Sequence, residues 1–216
     1  MRVRKFKLSD KEVIEYIHFE TGFFGNSMSD VLSNNKLWKG RIQYYFNKEP
    51  DSIFVLEREG EVLGYLLGCL DDNKKKVRVS AIIHNIVNFF RSIFHNKKDV
   101  IFWLNPIISF FNMMFGFSQE HKFSFPKNAG HFHISLLPDA RCKKMGSALL
   151  KRFEEYARYH GVKIIHGDGY IISDKRKQGF WEKNGFKIYS KVKTSMWNTI
   201  LKQENVYLVC FYKKLV

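Results

Sequence analysis

Hydrophobic positions recur along this chain with two periods, one typical of helices and one typical of strands. The clearest helical period lies between residues 149 and 157, where the apolar residues are Leu149, Leu150, Phe153, Tyr156 and Ala157. Gly161 follows at the position where helices commonly end in a left-handed residue. The pattern therefore predicts a helix that begins near Gly146 and ends just before Gly161.

Strand and helix patterns alternate along the rest of the chain. Apolar runs predict strands at residues 2–7, 53–56, 62–70, 130–137, 162–168, 186–194 and 205–212. Further helices are predicted at residues 9–20, 38–46 and 174–184. Ser9 and Glu12 form a capping box for the first of these, and Glu59-Gly60 predicts a tight hairpin. Hairpins at both ends favour an α/β (α+β) fold with a mixed, mostly antiparallel central sheet and helices on both faces.

A basic loop joins the strand that ends before Pro138 to the helix near Gly146. Arg141, Lys143 and Lys144 lie just ahead of the first helical turn, whose N–H groups have no partner within the helix. The helix dipole adds partial positive charge at the same point. Backbone and side chains together predict a site for a phosphate or pyrophosphate.

The order of these features resembles that of the GNAT superfamily of acyl-CoA-dependent N-acetyltransferases. The superfamily's pyrophosphate loop, Arg/Gln-x-x-Gly-x-Gly/Ala, matches Arg141 to Gly146, and residues 179–186 resemble its short helix ending in glycine and phenylalanine. Residues 53–70 resemble its central hairpin, and Gly161-Val-Lys-Ile-Ile opens its next strand. The resemblance implies a single domain, 1–216, with a helical insertion at about residues 71–128.

The resemblance also implies a reaction. It is the direct transfer of an acetyl group from acetyl-CoA, a co-substrate, to a primary amine of a small molecule or a protein. The residues expected to contact the coenzyme are Leu136, Leu137, Arg141, Cys142, Lys143, Lys144, Met145, Gly146, Ser147 and Asp174. The Leu136 N–H is the expected oxyanion donor, and a side chain at Gly146 is expected to obstruct the pyrophosphate.

Two positions depart from the superfamily's pattern. Lys144 replaces the middle glycine of the loop, so we expect a left-handed lysine there, at a cost of about 1 to 2 kcal/mol. Trp181 replaces the tyrosine that often protonates the leaving thiolate, and indole cannot act as that acid. Water or Tyr170 is the expected substitute, and Trp181 is expected to serve packing.

Histidines on the strand before the loop are candidates for the general base. His131 and His133 project from one face of that strand, and imidazole titrates near neutrality. We favour His133, with His131 second. The alternative is a pair of structural histidines that are hydrogen-bonded to their neighbours.

Other functions are compatible with the same residues. His131, His133 and His166, with Asp168, could bind zinc across neighbouring strands, as in a metal-dependent hydrolase, although no metal is expected beside a coenzyme site. The milder alternative is a hydrogen bond that a histidine donates to Asp168. A thiolate at Cys142 could accept an acyl group covalently. A third possibility is a degenerate acyl-CoA-binding regulatory module without turnover.

The composition of the chain bears on its expected partners and compartment. The formal net charge of +15 invites an anionic partner, but the basic residues are scattered and no nucleic-acid-binding fingerprint accompanies them. Nucleic acid is therefore not expected as the main partner. Three cysteines form no disulfide framework, and the N-terminus resembles no secretory signal, so we expect a cytoplasmic protein.

The insertion is rich in large apolar residues. They include Ile82, Ile86, Phe89, Phe90, Ile93, Phe94, Trp103, Phe110, Phe111 and Phe115. A transmembrane span is not expected, because polar residues interrupt the second stretch and a bilayer would separate strands of one sheet. We expect residues 79–118 to form a helical hairpin that covers the acceptor side of the cleft or pairs two subunits in a homodimer.

Overall fold

The computed structural model describes residues 1–33, 38, 40–71, 87–93, 96–116, 118–172, 175–202 and 205–215. Within these residues the strands are β1 (Arg2–Lys5), β2 (Ile53–Arg58), β3 (Glu61–Cys69), β4 (Gly130–Leu136), β5 (Ile164–Ile172), β6 (Lys187–Lys193) and β7 (Val206–Lys214). The helices are α1 (Lys11–Glu20), α2 (Gln43–Lys48), α3 (Lys97–Met114), α4 (Met145–Tyr159), α5 (Lys175–Lys183) and α6 (Asn198–Leu201). The short helix α6 is not foreseen by the sequence pattern.

The seven strands form one sheet in the order β1-β2-β3-β4-β5-β7-β6. Every neighbouring pair is antiparallel except β4 and β5, which are parallel. Glu59 and Gly60 both have positive φ, 53° and 88°, as the tight hairpin between β2 and β3 requires. The mixed, mostly antiparallel sheet of the prediction is confirmed.

Helices cover both faces of this sheet. Successive strand residues point to opposite faces, and in the central strands both sets are apolar. On one face, α4 packs over a core that contains Phe54, Leu66, Phe132, Leu149, Leu150 and Phe153. On the other, α1 and α2 pack over a core that contains Ile14, Ile17, Ile42, Tyr45, Val55, Tyr65 and Leu67. The two faces therefore carry separate cores, and a site between them can be reached from two sides.

The first helix begins differently from the prediction. The Ser9 capping box is wrong, because residues Leu8–Asp10 form a 3-10 turn and α1 begins only at Lys11. Asp10 accepts the Lys7 N–H at 2.7 Å and pairs with the Arg4 guanidinium at 2.7 Å. The Asp10 carboxylate therefore caps the 3-10 turn through the Lys7 N–H, whereas α1 has no side-chain capping bond at its own N-cap, Asp10.

Part of the predicted insertion forms α3, which packs on a third core. Phe102 and Trp103 are buried there against Trp38 and Trp197. Residues 87–92 are also helical, whereas Ile82, Ile86 and Phe94 lie outside the described residues. The helical hairpin as a whole therefore stays a prediction.

The outer side of this region keeps several apolar side chains exposed, namely Val87, Phe90, Ile93, Ile108, Phe111, Met114 and Phe115. The homodimer and the limits of the insertion stay predictions. Among the described helices, none has the length and apolar character that crossing a bilayer would need.

A close approach between β3 and α4 provides a stability test. A Cβ added at Gly68 would lie 2.2 Å from the Phe153 ring and 2.8 Å from the Ser52 carbonyl oxygen. Gly68→Ala should therefore lower the free energy of unfolding by about 1 to 3 kcal/mol, as overpacking does. Urea unfolding measures it, with Gly169→Ala as the control, because a Cβ there meets nothing within 4 Å. Equal effects of the two changes would contradict this packing.

Candidate functional site

The parallel strands β4 and β5 separate soon after they meet. They pair only at Gly130 with Ile165 and at His131 with His166. Beyond that point β4 continues to pair with β3 up to Leu136, and β5 continues to pair with β7 up to Ile172. The two strands therefore diverge, and a cleft of about 1590 Å³ opens between them.

The backbone of Leu136 faces this cleft. Leu137 donates its N–H to the Leu63 carbonyl at 2.9 Å, and N–H directions alternate along an antiparallel ladder. The Leu136 N–H and carbonyl consequently point away from β3, and the carbonyl accepts from Arg141 Nε at 2.9 Å. The predicted oxyanion donor thus points towards the cleft, whereas the Leu137 N–H is used within the sheet.

The basic loop has the backbone shape that an anion site needs. After a 3-10 turn at Pro138–Ala140, Cys142 and Lys144 both have positive φ, 61° and 59°. Lys144 is the N-cap of α4 and makes no side-chain capping bond, so the N–H groups of the first helical turn are left for a ligand. The predicted left-handed lysine is confirmed.

The predicted coenzyme residues separate into two groups. Those that line the cleft are Leu136, Arg141, Cys142, Lys144, Met145, Gly146 and Ser147. Leu137 does not line it and packs against the two cores of the sheet, and Lys143 is exposed outside it. Asp174 lies outside the described residues. The predicted coenzyme contacts of Leu137 and Lys143 are therefore not supported by this geometry.

Arg141 and Gly146 play structural parts in this loop. Arg141 Nη2 donates to the Gly25 carbonyl at 2.6 Å, in addition to its bond with Leu136, so the guanidinium ties the loop to two other segments. A Cβ at Gly146 would lie 3.1 Å from the Phe180 ring. A side chain at Gly146 would therefore crowd Phe180 before it could obstruct a pyrophosphate.

The two candidate bases have different surroundings. His131 is buried, and its ring nitrogens lie 2.9 Å from the Tyr45 hydroxyl and 3.1 Å from an Asp168 carboxylate oxygen. The predicted hydrogen bond between Asp168 and a histidine is therefore present. His133 is half-buried, and its Nδ1 lies 3.3 Å from the Tyr65 hydroxyl.

Tyr65 joins His133 to a third histidine that the sequence pattern does not indicate. Its hydroxyl lies 2.9 Å from His18 Nδ1. Burial lowers the pKa of His18 well below its usual range, and burial raises the pKa of Tyr65. Both groups are therefore neutral near pH 7, and the phenol keeps its proton.

The structure changes the set of residues that could bind zinc. Possible ligand atoms of His131, His166 and Asp168 lie within 4.8 Å of one another, whereas His133 is not part of this group. His166 Nδ1 lies 3.8 Å from Cys210 Sγ. The three groups could approach one cation, but Asp168 already satisfies His131 without it.

The surroundings of Trp181 and Tyr170 bear on which group could protonate the leaving thiolate. Trp181 stacks on Phe211 with ring centroids 5.0 Å apart and contacts Phe132, Phe180 and Phe186, which agrees with packing. Tyr170 lines the cleft and its hydroxyl donates to Met196 Sδ. Burial raises its pKa, so the phenol stays protonated near neutral pH.

The cleft has a predominantly basic lining. Arg41, Lys127, Arg141, Lys144 and Lys183 border it, whereas Asp168 is the single acid among its described lining residues. Arg41 and Trp38 line the cleft on the side that α1 and α2 cover. The segment at residues 123–127 also lines the cleft. The helical pattern around Trp38 predicts only a buried face, so these lining roles are not visible in the sequence.

Solved structures of several acetyltransferases have a similar architecture. The protein SsHAT is 18% identical and has a TM-score of 0.64, with 100% of this chain and 98% of that chain covered. A ribosomal-protein-alanine N-acetyltransferase from Brucella melitensis is 15% identical, with a TM-score of 0.56 and full coverage of both chains. A polyamine N-acetyltransferase from Drosophila melanogaster is 12% identical, with a TM-score of 0.57 and 99% of each chain covered.

By sequence, no protein-family model and no curated protein matches the chain. At these identities the structural comparisons establish the fold. They leave the acceptor open, because proteins with this fold are named for acceptors as different as a ribosomal protein and a polyamine.

Proposed function

We propose that this chain, which has the fold of the GNAT acetyltransferases, transfers an acetyl group from acetyl-CoA to a primary amine. The observation that carries the proposal is the combination of a diverging β4–β5 pair with an uncapped helix N-terminus at its edge. One feature supplies an open backbone edge and the other an anion site. Acetyl-CoA requires both, because its pyrophosphate and its thioester lie at opposite ends of the pantetheine arm.

The residues present fit this coenzyme. The left-handed Cys142 and Lys144 shape the loop, and the first-turn N–H groups of α4 would hold the pyrophosphate. The Leu136 N–H would donate to the developing oxyanion, where a positioned donor stabilises the transition state. When bound, the coenzyme supplies an acyl group activated as a thioester.

His133 would accept the proton that the amine loses as its nitrogen bonds to the acyl carbon. His133 is three residues from Leu136, or about 10 Å along the strand, a span that a side chain and one water can bridge. His131 is about 16 Å away on the same scale, and both of its ring nitrogens are hydrogen-bonded. His133 is therefore the better candidate, and the leaving thiolate would take its proton from water or Tyr170.

The Tyr65 phenol would set the tautomer of His133. A hydroxyl donates one hydrogen bond and accepts others, so Tyr65 can donate to His18 Nδ1 and accept from His133 Nδ1. That arrangement puts the basic lone pair of His133 on Nε2. Tyr65 and His18 would then act as positioning residues for the base.

The coenzyme site has a direct test in ligand-induced stabilisation. Acetyl-CoA should raise the melting temperature, because a ligand that binds only the folded state stabilises it. Lys144→Glu should reduce that rise by placing a negative charge beside the pyrophosphate. Differential scanning fluorimetry measures both effects. Lys151→Glu is the control, because it makes the same charge change at an exposed position two turns further along α4.

Three results of that experiment separate the candidate functions. A rise that Lys144→Glu leaves undiminished would contradict the loop assignment. A rise with no turnover of any amine would favour the regulatory acyl-CoA-binding module. Stabilisation by zinc alone, lost in His166→Ala, would favour the metal-dependent hydrolase that the group at His131, His166 and Asp168 permits.

The role of His133 predicts a kinetic effect with little change in coenzyme binding. His133→Ala should lower kcat about 100-fold to 10,000-fold, the usual contribution of a general base. The affinity for acetyl-CoA, measured by calorimetry, should stay close to that of the parent protein, because the histidine lies on the sheet face opposite α4. His160→Ala is the control, since His160 is exposed at the end of α4. An unaltered kcat in His133→Ala would return this histidine to a structural role.

A further inference from the structure

Arg41 lines the cleft with an exposed side chain that lies over the Trp38 ring. It lies in the 3-10 turn Gly40–Ile42, and its guanidinium carbon is 4.6 Å from the centroid of the Trp38 ring. Trp38 is itself held, because its Nε1 donates to the His18 carbonyl at 3.2 Å and its ring stacks on the His18 imidazole at 5.2 Å. The cation therefore rests on a rigid aromatic surface.

The guanidinium has no anion within the described part of the chain. No ion pair and no hydrogen bond joins Arg41 to a described residue. The groups that act on it electrostatically are Tyr170 and His18, and both are neutral near pH 7. Asp168, the acid of the described cleft lining, is already bonded to His131.

The geometry leaves the donors of Arg41 available to a ligand. A guanidinium has five N–H donors in its own plane, and stacking on an indole uses the flat face of that plane. The planar edge matches a carboxylate, which can accept two parallel hydrogen bonds from it. A cation so placed in a cleft, with its edge unmet by the described residues, is suited to an anionic group of a bound molecule.

Arg41 lies on a different face of the sheet from the loop proposed to hold the coenzyme pyrophosphate, so an anion bound at Arg41 would be a separate group. Its neighbour Ile42 packs with Ile14 and Tyr65 in the core on the α1 and α2 face. His133 projects from β4 on that face, because it is paired with Leu67 of the same core. The loop at the start of α4 serves the opposite face, so Arg41 lies with the proposed base on the acceptor side.

We propose that the acceptor is an amine that also carries a carboxylate, and that Arg41 binds this carboxylate in a bidentate pair. This inference rests on the proposed acetyltransferase function and narrows its acceptor. The basic lining of the cleft favours the entry of such a molecule over that of a polyamine. The amine would then be oriented towards His133 while its carboxylate is held at Arg41.

Matched acceptors test the proposal. Each pair differs by one carboxylate, such as an ω-amino acid and the alkylamine of equal chain length, and one pair consists of an acidic and a neutral form of the same peptide. Comparison of the amino acid pair with the peptide pair shows whether the carboxylated acceptor is a free amino acid or a peptide. We expect kcat/KM to be higher for the carboxylated member of at least one pair.

Two substitutions of Arg41 separate charge from geometry. Arg41→Met should raise KM for the carboxylated acceptor roughly 10-fold to 100-fold, the range for a lost charged hydrogen bond. It should leave KM for the alkylamine and for acetyl-CoA unchanged. Arg41→Lys should recover only part of the loss, because lysine keeps the charge without the planar fork. Arg158→Met, an equal change on the outer side of α4, is the control for net charge.

A binding measurement keeps this inference distinct from the proposed function. Calorimetric titration of the carboxylated amine into the parent protein, Arg41→Met and Arg158→Met needs no turnover. Binding that is lost only in Arg41→Met supports the carboxylate site, even if no acetyl transfer occurs and the proposed function fails. Turnover without preference within the pairs, or equal losses for both members in Arg41→Met, would overturn the carboxylate site and leave the acetyltransferase function standing.

Discussion

The separation of β4 from β5 after two residue pairs is the constraint on which the site depends. Each strand keeps its outer neighbour, so the sheet stays continuous at the base while an unpaired backbone edge opens above it. Phe132 fills the point of divergence, where its ring lies 3.2 Å from the place of a Cβ on Gly167. Because Gly167 has no side chain, the ring can pack against β5 and α4 together.

This divergence gives the two faces of the sheet different chemical tasks. On the α4 face, left-handed residues at Cys142 and Lys144 direct the loop so that the helix N-terminus meets the cleft. On the α1 and α2 face, hydrogen bonds with the hydroxyls of Tyr45 and Tyr65 hold His131 and His133 in place. The Leu136 backbone belongs to the edge between them, which is where groups bound on the two faces would meet.

Much of the fold could be predicted from the sequence because its signals are local. The period of Leu149 to Ala157 indicates α4, Gly60 indicates the hairpin turn, and the departure at Lys144 indicates a left-handed residue. The start of α1 was predicted wrongly because Asp10 interacts with Arg4 of a strand, and no local pattern contains that contact. Helix α6 has only four residues and leaves no period to detect.

The acceptor side could not be predicted for the same physical reason. The contacts among His18, Tyr65 and His133 join residues that are far apart in the chain, and they depend on the register between β3 and β4. Arg41 stacks on a tryptophan whose helical pattern predicts only burial. Such contacts become visible only when strands and helices are packed together.

Amide hydrogen exchange at two adjacent residues tests the central claim most directly. The Leu137 N–H is bonded to Leu63, so it should exchange slowly with or without ligand. The Leu136 N–H faces the cleft, so it should exchange quickly in the free protein and slowly once acetyl-CoA is bound. A Leu136 amide that is already protected in the free protein, or that acetyl-CoA does not protect, would contradict the account.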